Sequence, residues 1–264
     1  MPFLPFSVSQ RFSCLPCFQT QVFRRFSLHL INIYARKGFF PYLCTPKMKR
    51  RDNHILTLIE EGEHQMLDFK FEISDSRRIA RSLAAFANTD GGRLLVGVKD
   101  NGAIAGVRSE EEIHMIEAAA QMYCQPPVHY STEEWEINGK TVLEVIVRKD
   151  TGEKHKAPDN QGQYKIFVRV KDENLVADNV LIKVWKSDKL SRPAKIAFTD
   201  TEMFLLHHLA DNKEITTQEF RDLAHISKRK AEAILADFVA IGTIELIQTN
   251  QNTVFRLAEE PKTD

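Results

Sequence analysis

The stretch from Ser76 to Val98 constrains the fold more than any other. Ser76–Asn88 sets Ile79, Leu83, Ala84, Phe86 and Ala87 at helical spacing. Asn88-Thr89-Asp90-Gly91-Gly92 then supplies residues that tolerate positive φ, as a tight turn requires. Leu94-Leu95-Val96-Gly97-Val98 follows as an unbroken apolar run. A strand without a polar side must be covered on both faces, so this chain needs a sheet with packing layers above and below it. By contrast, Leu67-Asp68-Phe69-Lys70-Phe71-Glu72-Ile73 alternates at every step, which predicts a half-buried strand with Asp68, Lys70 and Glu72 on its open face.

The neighbouring segments extend this pattern. Asp52–Glu61 reads as a short helix stopped by Gly62, and Asp100-Asn101-Gly102 as a hairpin leading into Ala103–Val107. Ser109 with Glu112 predicts a capping box for a helix that ends at Pro126-Pro127. Asn138-Gly139 joins two strands, Val128–Ile137 and Thr141–Arg148. Lys154–Pro158 is expected as loop, Lys165–Val170 as strand and Asn174–Asp188 as helix. The fold class is α+β: a mixed sheet with packed helices over residues 48–188.

Beyond a linker at 189–197, capping signals recur at Thr199 with Glu202, Thr216 with Glu219, and Ser227. Three helices are followed by two β segments, Thr243–Gln248 and Thr253–Leu257. This order predicts a C-terminal winged helix-turn-helix over residues 198–258, with a tail at 259–264. Its third helix opens with Lys228, Arg229 and Lys230, which could reach phosphates or base edges in a major groove. Residues 198–264 nevertheless carry seven basic and 12 acidic groups, a net of −5 that suits protein docking or dimerisation equally well. A homodimer is therefore open.

Charge and composition narrow the function. The 264 residues hold 36 basic and 36 acidic side chains, so any nucleic-acid contact must come from a local patch. Residues 1–47 stand apart, with six basic residues, no acid, and eight of the 17 Phe. They read as an unstructured leader, with Met48 the expected natural start and a transit peptide the other reading. Cys14 and Cys17 lack a second pair at zinc-finger spacing, and one cysteine alone, Cys124, lies beyond residue 44. A reducing cytoplasm is the expected location. No apolar window is long enough to span a membrane.

Three strings carry a resemblance. Glu63–Lys70, then Ser82-Leu83-Ala84-Ala85-Phe86-Ala87-Asn88-Thr89-Asp90-Gly91-Gly92, then Leu94–Gly102 are similar to the Schlafen AlbA-like domain, as is Phe167-Val168-Arg169-Val170 near its end. The match covers about residues 54–188. Bacterial members often pair this domain with a C-terminal winged helix and are described as DNA-binding or transcriptional regulators. In animal members it is a metal-assisted ribonuclease using three acids, at positions matching Glu63, Asp68 and Asp100.

Three readings of function follow, two from the resemblance and one from the acidic C-terminal unit, which would dock a partner or dimerise. The first is a DNA-binding regulator, and the second a Mg²⁺- or Mn²⁺-dependent RNA endonuclease using Glu63, Asp68 and Asp100 as catalytic groups and metal ligands. The third is an interaction module. The shorter Asp68, where the family carries Glu, draws a metal-binding carboxylate back by one methylene. Candidate contacts to DNA or RNA are Lys70, Arg93, Lys154, Lys156, Arg169, Lys171, Lys228, Arg229 and Lys230, with Arg169 and Lys171 expected on one strand face. Some relatives bear an ATP-binding label, but Gly92–Lys99 lacks the loop and the hydroxyl of a phosphate cradle, and no cofactor is demanded by these residues.

Overall fold

The computed structural model describes residues 52–189 and 198–259, which fall within one unit, Lys49–Asp264. The leader at 1–47, the linker apart from Lys189, and the tail after Glu259 lie outside the described residues. The elements are α1 (Asp52–Glu61), β1 (Leu67–Lys70), α2 (Ser76–Asn88), β2 (Gly92–Val96), α3 (Glu111–Gln121), β3 (Tyr130–Ile137) and β4 (Lys140–Val147). They continue with β5 (Lys156–Pro158), β6 (Tyr164–Val170), β7 (Glu173–Val176), α4 (Asn179–Lys189), α5 (Asp200–Asn212) and β8 (Glu214–Thr216). The last four are α6 (Thr217–Leu223), α7 (Lys228–Ala240), β9 (Ile244–Gln248) and β10 (Thr253–Leu257).

The fold is α+β with a mixed sheet in the order β1-β2-β4-β3, where β1 and β2 run parallel and the other pairs antiparallel. As the apolar run requires, β2 is covered on both faces. Leu94 and Val96 pack with Ile79, Leu83 and Phe86 of α2 and Ile116 of α3. Leu95 faces the other way, with Leu67, Phe69, Val142 and the α1 residues Ile55 and Leu58. The β3–β4 hairpin turns at Asn138 and Gly139, both at positive φ (53° and 74°), the geometry that makes this dipeptide a turn signal.

The helix–turn–strand motif joins this sheet to a second one, β5-β6-β7. Asn88 Nδ2 donates to the carbonyls of His155 and Phe167, each at 2.8 Å, and its Oδ1 accepts from His155 N–H at 2.8 Å. Thr89 Oγ1 donates to Ala85 O at 2.8 Å and accepts from Arg169 N–H at 3.0 Å. A Cβ on Gly91 would sit 2.8 Å from Val147 O, and one on Gly92 2.4 Å from the Phe86 ring. The motif is a staple that closes helix α2 onto both sheets.

Several local expectations change. Strand β1 ends at Lys70, and only the bridge Val98–Ile104 forms in the expected hairpin after residue 100. Glu112 makes no capping box. Its buried carboxylate instead accepts from Ile73 N–H (3.3 Å) and Arg108 N–H (3.0 Å), tying α3 to the end of β1. Residues 156–158 form strand β5, and residues 173–176 pair with β6 before α4 begins at Asn179.

The C-terminal elements form a third antiparallel sheet, β8-β10-β9, beside α5, α6 and α7. The capping signals at Thr216 and Ser227 both make their bonds. Val180 and Val184 of α4 enter this core with Leu205, Phe220, Leu235 and Phe255.

Candidate nucleic-acid interface

The structure brings Glu63 and Asp68 together and leaves Asp100 apart. Glu63 Oε1 accepts the Phe69 N–H at 2.8 Å, and burial beside Asp68 raises its pKa above the ordinary 4.5. Asp100 lies exposed in the turn after β2. Among the described residues, no three acidic, histidine or cysteine side chains converge as metal ligands.

Asp68 is buried, with 3% of its surface exposed, which corrects the open-face reading. Its Oδ1 lies 3.0 Å from Lys70 Nζ and 3.3 Å from Arg169 Nη2, and its Oδ2 accepts from Ser82 Oγ at 3.3 Å. A hard divalent ion needs those oxygen lone pairs, and two cationic groups and a hydroxyl already use them. A divalent ion at Asp68 would have to displace these partners, and Asp100 does not join Glu63 and Asp68 in this arrangement.

Arg169 is equally internal, at 2% exposure, so its expected role as a phosphate contact is corrected. It points from β6 toward α2. Its Nη1 donates to Asn174 Oδ1 (3.2 Å), Nη2 to Leu67 O (3.2 Å), and the guanidinium stands 5.2 Å from the Phe86 ring centre. Lys171 does not share its face, because β6 ends at Val170 and Lys171 sits in a turn at φ 57°. Lys70 also donates to Phe69 O, while Arg93 Nε lies 2.8 Å from the buried Glu144 carboxylate, which accepts from Trp135 Nε1 as well.

Lys154 and Lys156 behave differently. Between them His155 is buried, its Nδ1 2.8 Å from Pro126 O and its Nε2 3.0 Å from Asp150 Oδ2. The Gly152 N–H and His155 hold the Asp150 carboxyl below its ordinary range. Of the two flanking lysines Lys156 is exposed, whereas Lys154 is half-buried and donates to Asn88 O at 3.3 Å. Lys154 Nζ lies 4.7 Å from the Trp185 ring centre. Burial, and then Lys149, lower the pKa of its ammonium. A cleft of about 640 Å³ is lined by Lys154, Lys156, Lys186 and Lys189, against the acids Glu153 and Asp188, with Trp185 in its wall.

Residues 63–178 match the family model for the Schlafen AlbA_2 domain. This segment resembles the Schlafen AlbA_2 domain. The family points to nucleic-acid binding without separating regulators from nucleases. No curated protein matches the chain. Among solved structures, the protein DIP2311 from Corynebacterium diphtheriae is similar at 19% identity, covering 57% of this chain and 36% of that one, with a TM-score of 0.37. The chain thus spans about a third of that protein's length. The N-terminal domain of a protein from Nitrosomonas europaea, titled as related to the DNA helicase RecG, is 22% identical over 47% of this chain and 95% of its own, with a TM-score of 0.31.

The lysine cleft spans the end of the AlbA_2-like domain and the helix that follows it. Lys154 and Lys156, expected contacts from the sequence, are joined in this cleft by Trp185, Lys186 and Lys189, which were not among the expected residues. The string Lys183-Val184-Trp185-Lys186 carried a signal, an aromatic among lysines on a helix, with no cue to what it faces. Lys228, Arg229 and Lys230 are exposed in the first turn of α7, where Lys228 stands 3.9 Å from Glu232. Farther along, α7 is covered. Ala231, Ile234, Leu235 and Phe238 are buried, and Lys183 of α4 bonds Glu232 at 2.7 Å. Among the described residues no helix is long and apolar enough to cross a membrane.

Proposed function

We propose that this protein binds nucleic acid through the lysine cleft beside Trp185, without metal-dependent cleavage. The carrying observation is the cleft's charge: four lysines line it with two acids among them, Lys156, Lys186 and Lys189 exposed and Lys154 half-buried with its Nζ 3.3 Å from Asn88 O, whereas Lys70, Arg93 and Arg169 are paired with buried carboxylates. Phosphate contacts of this kind give affinity and orientation without reading sequence. Where the polynucleotide is DNA, such binding suits a regulator of transcription. The C-terminal unit, read as a winged helix, would add phosphate contacts from Lys228, Arg229 and Lys230.

A second reading rests on the same C-terminal unit. Its net charge of −5 and the exposed side chains of Phe198, Met203 and Phe204 favour docking of a protein partner there, alongside nucleic-acid binding by the AlbA_2-like domain.

Anisotropy titrations of a labelled oligonucleotide at several salt concentrations test the lead reading. Affinity is expected to fall steeply with salt, and the Lys154→Ala, Lys156→Ala double variant to flatten the slope by roughly one unit per lost contact. Mn²⁺ is expected to leave the oligonucleotide uncut. Affinity indifferent to both salt and the substitutions overturns the proposal.

A further inference from the structure

A polynucleotide in the lysine cleft is either a duplex or a single strand. We infer that it is single-stranded DNA or RNA, held by its phosphates on the lysines and by a base stacked against Trp185, with little regard for base sequence. This inference rests on the reading of the cleft as a nucleic-acid site.

Two recesses meet at Trp185. One is the lysine cleft. The other, of about 790 Å³, lies between the Asn88–Asp90 turn, the end of β6, α4 and β9, and its apolar wall includes Leu181, Ile244 and Leu246. Trp185 and Lys154 line both. An aromatic side chain is thus set between a cationic surface and an apolar hollow, the two environments that a nucleotide's phosphate and base each require. In a duplex every base face is already covered by its neighbours, so the hollow would stay empty. A single strand offers unstacked bases that can enter it. Lys154 stands 4.7 Å from the indole ring centre with its Nζ 3.3 Å from Asn88 O, so one cation borders both recesses at the place where a phosphate next to a stacked base would lie.

The sequence indifference follows from the hydrogen bonds of the polar wall. Gln65 donates to Asp90 and to Arg169 O, and accepts from Lys171 N–H. Asn88 and Thr89 are committed to the staple between the sheets. Gln248 donates to Val176 O and accepts from Asp178 N–H. These amides and the Thr89 hydroxyl are spent on the fold, which leaves Asp90, Lys149 and Glu245 as the exposed polar groups of the wall, whereas stacking accepts any base because each has a π face. Glu245, exposed on the hollow's wall, would repel phosphate there.

The test uses the full chain, whose two tryptophans are Trp135 and Trp185. Oligo(dT), oligo(rU), oligo(dA) and a mixed-sequence duplex are titrated while intrinsic fluorescence and anisotropy are followed. The single strands are expected to quench tryptophan emission with affinities within several-fold of one another, and the duplex to bind more weakly. In Trp185→Phe the quench, but not the binding, should vanish. Trp185→Ala should lose roughly 5- to 150-fold in affinity with an unchanged salt slope. Salt-dependent binding with no quench in the wild-type chain, or a duplex bound as tightly as a single strand, overturns this inference and leaves the proposed function standing. No salt-dependent binding of any probe overturns the proposed function itself.

Discussion

Replacing Asp68 by Ala separates a structural carboxylate from a metal ligand. The substitution removes one acceptor for Arg169 Nη2, one for Lys70 Nζ and one for Ser82 Oγ. The Lys70 contact counts for little, because that side chain is 35% exposed and water can replace the carboxylate. Arg169 cannot recruit water so easily. It keeps Leu67 O and Asn174 Oδ1, but its charge loses its buried counter-ion, and its Nε has no partner to begin with. Removing one member of a buried ion pair costs about 3–5 kcal/mol, and the surviving carbonyl contacts place this case near the lower end. For a folded unit of this size, about 3 kcal/mol corresponds to a fall in Tm of roughly 6–12 °C. Thermal and urea unfolding followed by circular dichroism, with and without millimolar Mn²⁺, measure it. If Asp68 instead served a metal, its removal in metal-free buffer would relieve the repulsion with Glu63 and raise stability, while Mn²⁺ would stabilise the wild type alone. A loss below about 1 kcal/mol, or a Mn²⁺-dependent rise in wild-type Tm that the variant lacks, refutes the reasoning.

Two further outcomes follow from buried groups. The folded-state pKa of Glu63 is raised from 4.5, so its ionised form destabilises the fold, a penalty absent below 4.5 and growing as pH rises through the folded value. Glu63→Gln keeps an acceptor for the Phe69 N–H and removes the charge, so its stability advantage over wild type should widen between pH 4 and 7. A pH-independent difference contradicts that sign. Burial pushes the Cys124 thiol up to about 12, and its Sγ donates to Ala80 O at 3.4 Å. Peptide-mapped alkylation by iodoacetamide at pH 8 should proceed roughly three orders of magnitude more slowly at Cys124 in the native chain than in urea, and equal rates would show the helix α2 environment to be open.

The elements that were legible in the sequence are those whose signals are local. The unbroken run of β2, the Asn138-Gly139 turn and the caps at Thr216 and Ser227 are decided within a few residues, and the fold honours each. What failed was the meaning of a polar residue on an alternating strand. Alternation shows which side of β1 faces the hydrophobic residues of α1, but it is silent on whether the other side meets water or a second polar layer. Arg169 arrives from a strand about a hundred residues away and turns Asp68 into an interior residue. Strand β7 was hidden for a similar reason: Glu173–Val176 is too short to announce itself, and its pairing with β6 decides its conformation. The lysine cleft is assembled from the loop before β5 and the last turns of α4, so its charge becomes visible only once those segments meet.

Helix α4 constrains how the lysine cleft and the basic first turn of α7 can work together. Its Trp185, Lys186 and Lys189 line the cleft, while Val180 and Val184 belong to the C-terminal core and Lys183 bonds Glu232 on α7. One rigid element therefore holds the cleft and α7 in fixed relation. A helix read into a major groove needs an open face along several turns. On α7 that face offers Lys228, Arg229 and Lys230 in the first turn, but then Ala233, Asp237 and Ala240, with the Asp237 carboxyl raised by burial and by Glu202. An acid and two alanines carry no base-reading donors. With α4 in place, the donors that α7 offers are those of Lys228, Arg229 and Lys230 in its first turn, so any base reading by α7 would rest on these three side chains.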